Sequence, residues 1–320
     1  MESFLTDNWH LRVPVIGAPM SPQAGGRLAA AISLAGGLGM IGVGASQPVE
    51  ALAQDADECR ALGARFGVGL MTWVVEKRPE LLDAAIAAQP FAIALSFGDA
   101  APYAARIRDA GIELVCQVQD LKSALSAERA GAKLLVAQGT EAGGHTGTVG
   151  TLPLLQIVLD AVQVPVVAAG GIASGRGLAA VLAAGAAGAW IGTRFLLAEE
   201  ARNSTRARER LAAAAETDTV LTATFDTVQR IPWPGEFRGR ALKNSFTDAW
   251  HGREAALASD QAARQKFDAA RQTEDYEIAH LYAGQGVALA RRVEPASVIL
   301  SGLARDAERL LQAVSARSRA

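Results

Sequence analysis

Two hydrophobic periods take turns along this chain. Short β-branched or apolar runs recur about every twenty to twenty-five residues through its first two-thirds: "VPVIGA" (13–18), "GMIGVG" (39–44), "RFGVGL" (65–70), "FAIALS" (91–96), "IELVCQ" (112–117), "KLLVAQ" (133–138), "VPVVAAG" (164–170) and "GAWIGT" (188–193). Near-continuous apolar character predicts strands buried on both faces, as parallel strands under helices are. Between them lie alanine-rich stretches such as "GGRLAAAISLAGG", "PVEALAQDADECRALGA" and "GRGLAAVLAAG". Their apolar positions follow a helical period, and several close on a glycine suited to a left-handed cap. Eight alternations predict an α/β chain folded as a (β/α)8 TIM barrel over 1–195.

The texture changes after Thr193. "LAEEARNSTRARERLAAAAETD" is a charged helical run, and "TFDTVQRIPWPGEFRGRALKN" mixes turn residues, aromatics and basic groups. A smaller added subdomain or lid, mainly helical, is expected over 196–283. From "GQGVALARRVEPASVILSGLARDAERLLQAV" the helical period returns, so the segment 284–320 is expected to pack back onto the barrel.

Composition narrows the partners. At 320 residues, 50% hydrophobic and 20% charged, the chain can bury a large core. A formal net charge of −2 and a pI near 6.1 provide no basic surface for phosphate backbones or anionic lipids, so neither nucleic acid nor membrane is an expected partner. The N-terminus lacks a basic region followed by an apolar one, and nowhere do eighteen apolar residues run uninterrupted; a cytoplasmic location is expected. Cys59 and Cys116 stand far apart without metal-ligand spacing, which predicts core thiols and no metal site. Whether the chain forms a homo-oligomer stays open.

A barrel of this kind carries its active site at the carboxyl ends of the strands and commonly holds phosphate in the loops after strands seven and eight. The seventh run leads into "AAGGIASGRG", where Gly170 and Gly171 let main-chain N–H groups approach an anion and Ser174 can cap the next helix; the eighth ends in "IGTRF", with Gly192, Thr193 and Arg194. Together these loops predict a phosphorylated ligand. "GGLGMIG" also fits the spacing of a dinucleotide fingerprint, but it leads into a strand instead of leaving one, and is read as a helix cap and close packing. In "GAPM", Gly17 to Met20, a proline just past a strand either turns the main chain toward a flat heterocycle or is an ordinary loop proline.

One histidine stands in "QGTEAGGHTGTVG", Gln138 to Gly150. A glycine-rich loop is expected to leave the His145 ring partly exposed, and a histidine in such a setting has no catalytic duty by default. Trp73 and Phe97 are either pocket walls or core aromatics.

Five motifs in order, "GAPM", "LAGGLGMIG", "QGTEAGGHTG", "AAGGI" and "IGTRF", resemble the nitronate monooxygenase family, formerly called 2-nitropropane dioxygenases, and the late "LYAGQGVALARRVEPASVI" is similar to its C-terminal segment. The resemblance implies a TIM barrel with a smaller domain and a non-covalent FMN. It places Ala18, Pro19 and Met20 against the flavin and Gln117 near its ring, with Gly139, Gly144, Gly171, Gly192 and Thr193 along the ring edge or the phosphate. His145 matches the family's active-site histidine in "EAGGH". Where many relatives read "GVN", this chain has Gly69 in "GVGL".

The activity implied is oxidation of alkyl nitronates by O2 to a carbonyl compound and nitrite, with His145 holding the nitronate oxygens or taking the α-proton of a neutral nitroalkane. The alternative on the same barrel is an FMN-dependent NAD(P)H reductase, acting on enoyl-acyl-carrier proteins or quinones. A flavin-free isomerase or aldolase of phosphorylated metabolites and a non-catalytic binding protein are the remaining readings.

Overall fold

The computed structural model describes residues 1–317, so the last three positions of the expected C-terminal segment lie outside the described residues. Each predicted run contains a strand: β1 (Val15–Gly17), β2 (Gly39–Gly42), β3 (Phe66–Met71), β4 (Ala92–Ser96), β5 (Glu113–Val118), β6 (Leu134–Gln138), then, after the short β7 (Gly144–Thr146), β8 (Val166–Ala169) and β9 (Gly188–Ile191). Eight of them, all but β7, pair in parallel in the order β1-β9-β8-β6-β5-β4-β3-β2, and a parallel bridge from Ile16 to Leu38 joins the two ends. The result is a (β/α)8 TIM barrel.

The two-residue period of a strand sorts side chains between two apolar layers. Ile16, Met40, Ala94, Val115, Val136, Val167 and Trp190 form one cluster inside the barrel, and Leu5, Trp9 and Leu11 join it. Their neighbours one step along, such as Ile41, Leu95, Cys116, Ala137, Ala168 and Ile191, meet the outer helices. Each fully buried Leu, Ile or Val contributes roughly 1.5–3 kcal/mol. The same alternation carries Gln117, two residues beyond Val115, and Gln138, two beyond Val136, to the inner face at the carboxyl end.

"GGLGMIG" behaves as a cap and strand entry: Gly36 is the left-handed C-cap of helix Gly26–Ala35, and Gly39 opens β2. Both cysteines are buried, and burial pushes each thiol up to about 12.

The chain from Thr205 to Gln272 contributes helices Thr205–Ala212, Thr224–Gln229, Ser245–Trp250, Glu254–Leu257 and Gln261–Gln272, together with strands β10 (Thr219–Thr222) and β11 (Arg238–Leu242). Phe225, Phe246 and Phe267 form a separate core there with Val228, Ala241 and Leu257. A second sheet, β10-β11-β7, ties this layer to the loop after β6, because β11 pairs antiparallel with both neighbours. The final helix, Ala296–Arg317, packs on helices Gly175–Ala183 and Gly26–Ala35 of the barrel.

Candidate functional site

His145 sits on β7 and not in an open loop, paired with Gly239 of β11. The expected partial exposure is thereby corrected. The residue is only 7% exposed, because pairing to β11 lays later parts of the chain over it. Its carbonyl accepts from Gln138 Nε2 at 3.0 Å, and Gln138 Oε1 accepts from Gln119 Nε2 at 2.9 Å. This chain of buried amides fixes the histidine main chain against the barrel wall.

The imidazole is held from two sides. Nε2 stands 3.0 Å from each carboxylate oxygen of Asp226, on helix Thr224–Gln229. Trp233 lies parallel to the ring, with centroids 3.4 Å apart and planes within 9°. Trp233 comes from "IPWPGEF", where flanking prolines restrict the main chain, and its indole also meets Trp73 and Phe97, each with centroids 5.1 Å away. Phe97 in turn meets Phe237. Trp73 and Phe97 are therefore half-buried members of an aromatic group beside His145. A cavity of about 410 Å³ is lined by Asp226, Arg230, Trp233, Phe237 and Arg238.

The remaining predicted residues gather where the barrel strands end. Ala18, Pro19 and Met20 follow β1, half-buried, and Ala18 N donates to Ile191 O at 2.9 Å. The half-buried Gln117 side chain makes no hydrogen bond among the described residues, which leaves an amide donor and acceptor free at the inner face. Gly69 has a steric explanation: a Cβ on it would overlap the Pro19 ring. An asparagine at 69 and a proline seated as Pro19 is seated exclude one another.

The two glycine loops differ in what they leave available. Gly170 and Gly171 have φ of +106° and +71°, a region that favours glycine. A Cβ on Gly171 would meet only the Glu141 side chain, in ordinary contact at 3.5 Å from its Cβ and 3.9 Å from its Cγ. Among the described residues no main-chain partner is found for the N–H groups of Gly171, Gly192 and Thr193. Ser174 caps helix Gly175–Ala183 as expected, its hydroxyl accepting from Gly177 N at 3.3 Å. Thr193 Oγ1 instead accepts from Gly284 N at 2.9 Å, and buried Arg194 turns away to Glu294.

Residues 283–286, "AGQG", form a wedge between these loops. Gln285 N donates to Glu141 O at 2.9 Å, and a Cβ on Gly143 would come within 2.6 Å of Gly284 N. Glu141 Oε2 accepts from both Thr151 N and Thr151 Oγ1 at 2.7 Å. Gly139 packs against Thr151, and Gly144 pairs with Arg240 across β7 and β11.

Sequence reasoning did not single out Asp226, Trp233, Tyr282 or Gln138 as site residues. Their only available signal was local: a tryptophan between two prolines in "IPWPG", and a lone acid in the apolar "TFDTV". Tyr282 is half-buried, and its phenol is pushed well above the ordinary tyrosine range, first by loss of water contact and then by the nearby Asp226 carboxylate. His280, beside Tyr282, is pushed down to about 4 by burial, with Arg271 and His145 adding to the effect.

Comparison with known proteins places this geometry in context. A family model described as nitronate monooxygenase matches residues 82–306. A probable nitronate monooxygenase from Staphylococcus aureus is 28% identical over 96% of this chain and 98% of its own length. Among solved structures, FabK from Thermotoga maritima superposes with a TM-score of 0.86 at 26% identity, covering 99% of both chains. A nitroalkane oxidase from Streptomyces ansochromogenes superposes with a TM-score of 0.82 at 30% identity, covering 98% of this chain and all of that one.

Proposed function

We propose that this chain, which belongs to the nitronate monooxygenase family, oxidises alkyl nitronates with O2 to a carbonyl compound and nitrite, and accepts neutral nitroalkanes once their α-proton is removed. Membership implies a flavin, and FMN is the form that suits the glycine loops. The reading rests on one observation above all: the buried imidazole of His145, held by Asp226, flanked by Trp233, Trp73 and Phe97.

The residues present fit such a group. Gln117 has an unpaired amide at the inner face, suited to the heteroatoms of a flat ring, and Ala18, Pro19 and Met20 supply the half-buried main chain beside it. The N–H groups of Gly171, Gly192 and Thr193 suit a phosphate, and the open side of Gly171 leaves room for one. Gly139, Gly144 and Gly170 shape the connecting loops. When bound, FMN supplies one-electron chemistry between a closed-shell nitronate and oxygen. His145 then binds the nitro oxygens or takes the α-proton, and the aromatic side chains exclude water.

The test is the absorption spectrum of the supernatant from denatured protein, followed by nitrite release from ethyl nitronate in air. FMN in the supernatant and nitrite in the assay are expected. A protein that takes up no FMN when reconstituted with an excess would overturn the reading.

A second reading, an FMN-dependent NAD(P)H reductase, is favoured by the FabK superposition, which has the higher TM-score of the two. Rapid anaerobic bleaching of the bound flavin by NADH or NADPH, without nitrite release from nitronates, would establish it instead.

A further inference from the structure

Asp226 lies 81 residues beyond His145, in the part of the chain that the five motifs do not reach. Both of its carboxylate oxygens stand 3.0 Å from His145 Nε2. An ionised carboxylate only accepts hydrogen bonds, so Nε2 is the nitrogen that carries the proton. Nδ1 of the neutral ring is then a lone pair, and it has no partner among the described residues. Tyr282 lies close enough for the Asp226 carboxylate to push its phenol upward. The His145 and Asp226 side chains are 6% and 9% exposed, so water weakens this contact little.

We propose that Asp226 is a positioning residue for the reaction: it sets the tautomer of His145 so that Nδ1 takes the α-proton of a nitroalkane, and it stabilises the imidazolium that results. The inference rests on the proposed role of His145 at the substrate. In the step assigned, the C–H electron pair stays on the substrate, which becomes the nitronate. The proton moves to Nδ1 and later leaves to solvent, and Nε2–H stays on Asp226 throughout. The other titratable or charged groups around the pair are Tyr282 and His280 on the chain approaching the wedge, Arg271 on helix Gln261–Gln272, Arg230 and Arg238 along the adjoining cavity, and Arg240 on β11. None of these contacts Nε2, so the assignment of the proton falls to Asp226 alone.

Asp226→Asn tests this directly. Its side-chain amide can donate to Nε2, which stabilises the opposite tautomer and fills Nδ1 with a proton. kcat/KM for nitroethane is expected to fall about 100-fold, whereas that for preformed ethyl nitronate falls less than about tenfold. The proton affinity of His145, followed by 15N NMR of histidine-labelled protein, is expected to fall at least about tenfold. Asp226→Glu, which keeps the charge, is expected to recover a tenth or more of the nitroethane activity. Equal losses on both substrates with an unchanged His145 titration would overturn the proposal, as would a Glu variant no better than the Asn one.

The wild-type spectrum supplies a test that needs neither a folded variant nor turnover. The chain has four histidines, and the His145 nitrogens must report a proton on Nε2 at neutral pH. A proton on Nδ1 overturns the proposal even if nitronates prove to be substrates. If nitronates are not substrates, an Nε2 proton that is lost in Asp226→Asn still supports the positioning role and removes only the reaction it was to serve.

Discussion

Trp233 lies flat on His145, with 3.4 Å between ring centroids and 9° between planes. A ring so placed covers one face of the imidazole, and a substrate reaching that face must displace it. Trp233→Leu is therefore expected to open the pocket to longer chains. The ratio of kcat/KM for a long-chain nitronate to that for ethyl nitronate should rise about tenfold, in line with the roughly 1–3 kcal/mol that pocket size commands. An unchanged ratio in the folded variant would mean that substrate approaches from the other face.

Replacing the histidine separates chemistry from binding of the cofactor. His145→Asn is expected to lower kcat/KM for nitroethane by about 10²–10⁴-fold while retaining FMN. Because the ring is buried on Asp226, the variant should also lose about 1–3 kcal/mol of stability from a carboxylate left short of a donor. Urea titration together with steady-state kinetics checks both parts.

The phosphate assignment depends on the loop after β8. Gly171→Asp places a carboxylate beside the free N–H groups and a Cβ on a residue with φ of +71°. FMN affinity, measured by fluorescence quenching, is expected to fall at least tenfold in protein whose circular dichroism is unchanged. Equal affinity would move the phosphate elsewhere.

Burial of His280 gives a pH dependence with a definite sign. Its folded value of about 4 lies below the 6.5 of an unexposed-to-charge, unfolded histidine. Between those values the unfolded chain binds the proton and the folded chain does not, so stability is lost as the pH falls from 6.5 toward 4, by up to about 3 kcal/mol. Its Nδ1 is buried without a partner, among Phe225, Phe267 and Tyr282. His280→Phe should flatten the acid limb of a Tm-against-pH curve between pH 6.5 and 4, and a parallel pair of curves would reject this account.

Much of the fold was legible because a parallel barrel repeats one local pattern: all eight apolar runs contain their strands, and Ser174 and Gly36 act at the helix ends where their residue types favour them. The half of the candidate site built on strand ends follows from the same pattern, since Ala18, Gln117 and Gly192 are the last or next-to-last residues of well-marked apolar runs. His145 was found but its burial was not, because the strand that covers it comes from Arg238–Leu242, almost a hundred residues later. Asp226 and Trp233 escaped for the same reason. Nothing in "TFDTV" or "IPWPG" encodes which distant side chain each will touch, and no alternation of polar and apolar residues carries that information.

The wedge at 283–286 has a consequence for the order of events during synthesis. The eight barrel strands are complete by Ile191, yet Thr193 and Glu141 receive their partners only when Gly284 and Gln285 arrive. Those contacts join residues 91 or more positions apart, a separation that places them among the later ones to form. A barrel still being synthesised thus lacks the contacts that close its mouth until the chain reaches Gly284 and Gln285.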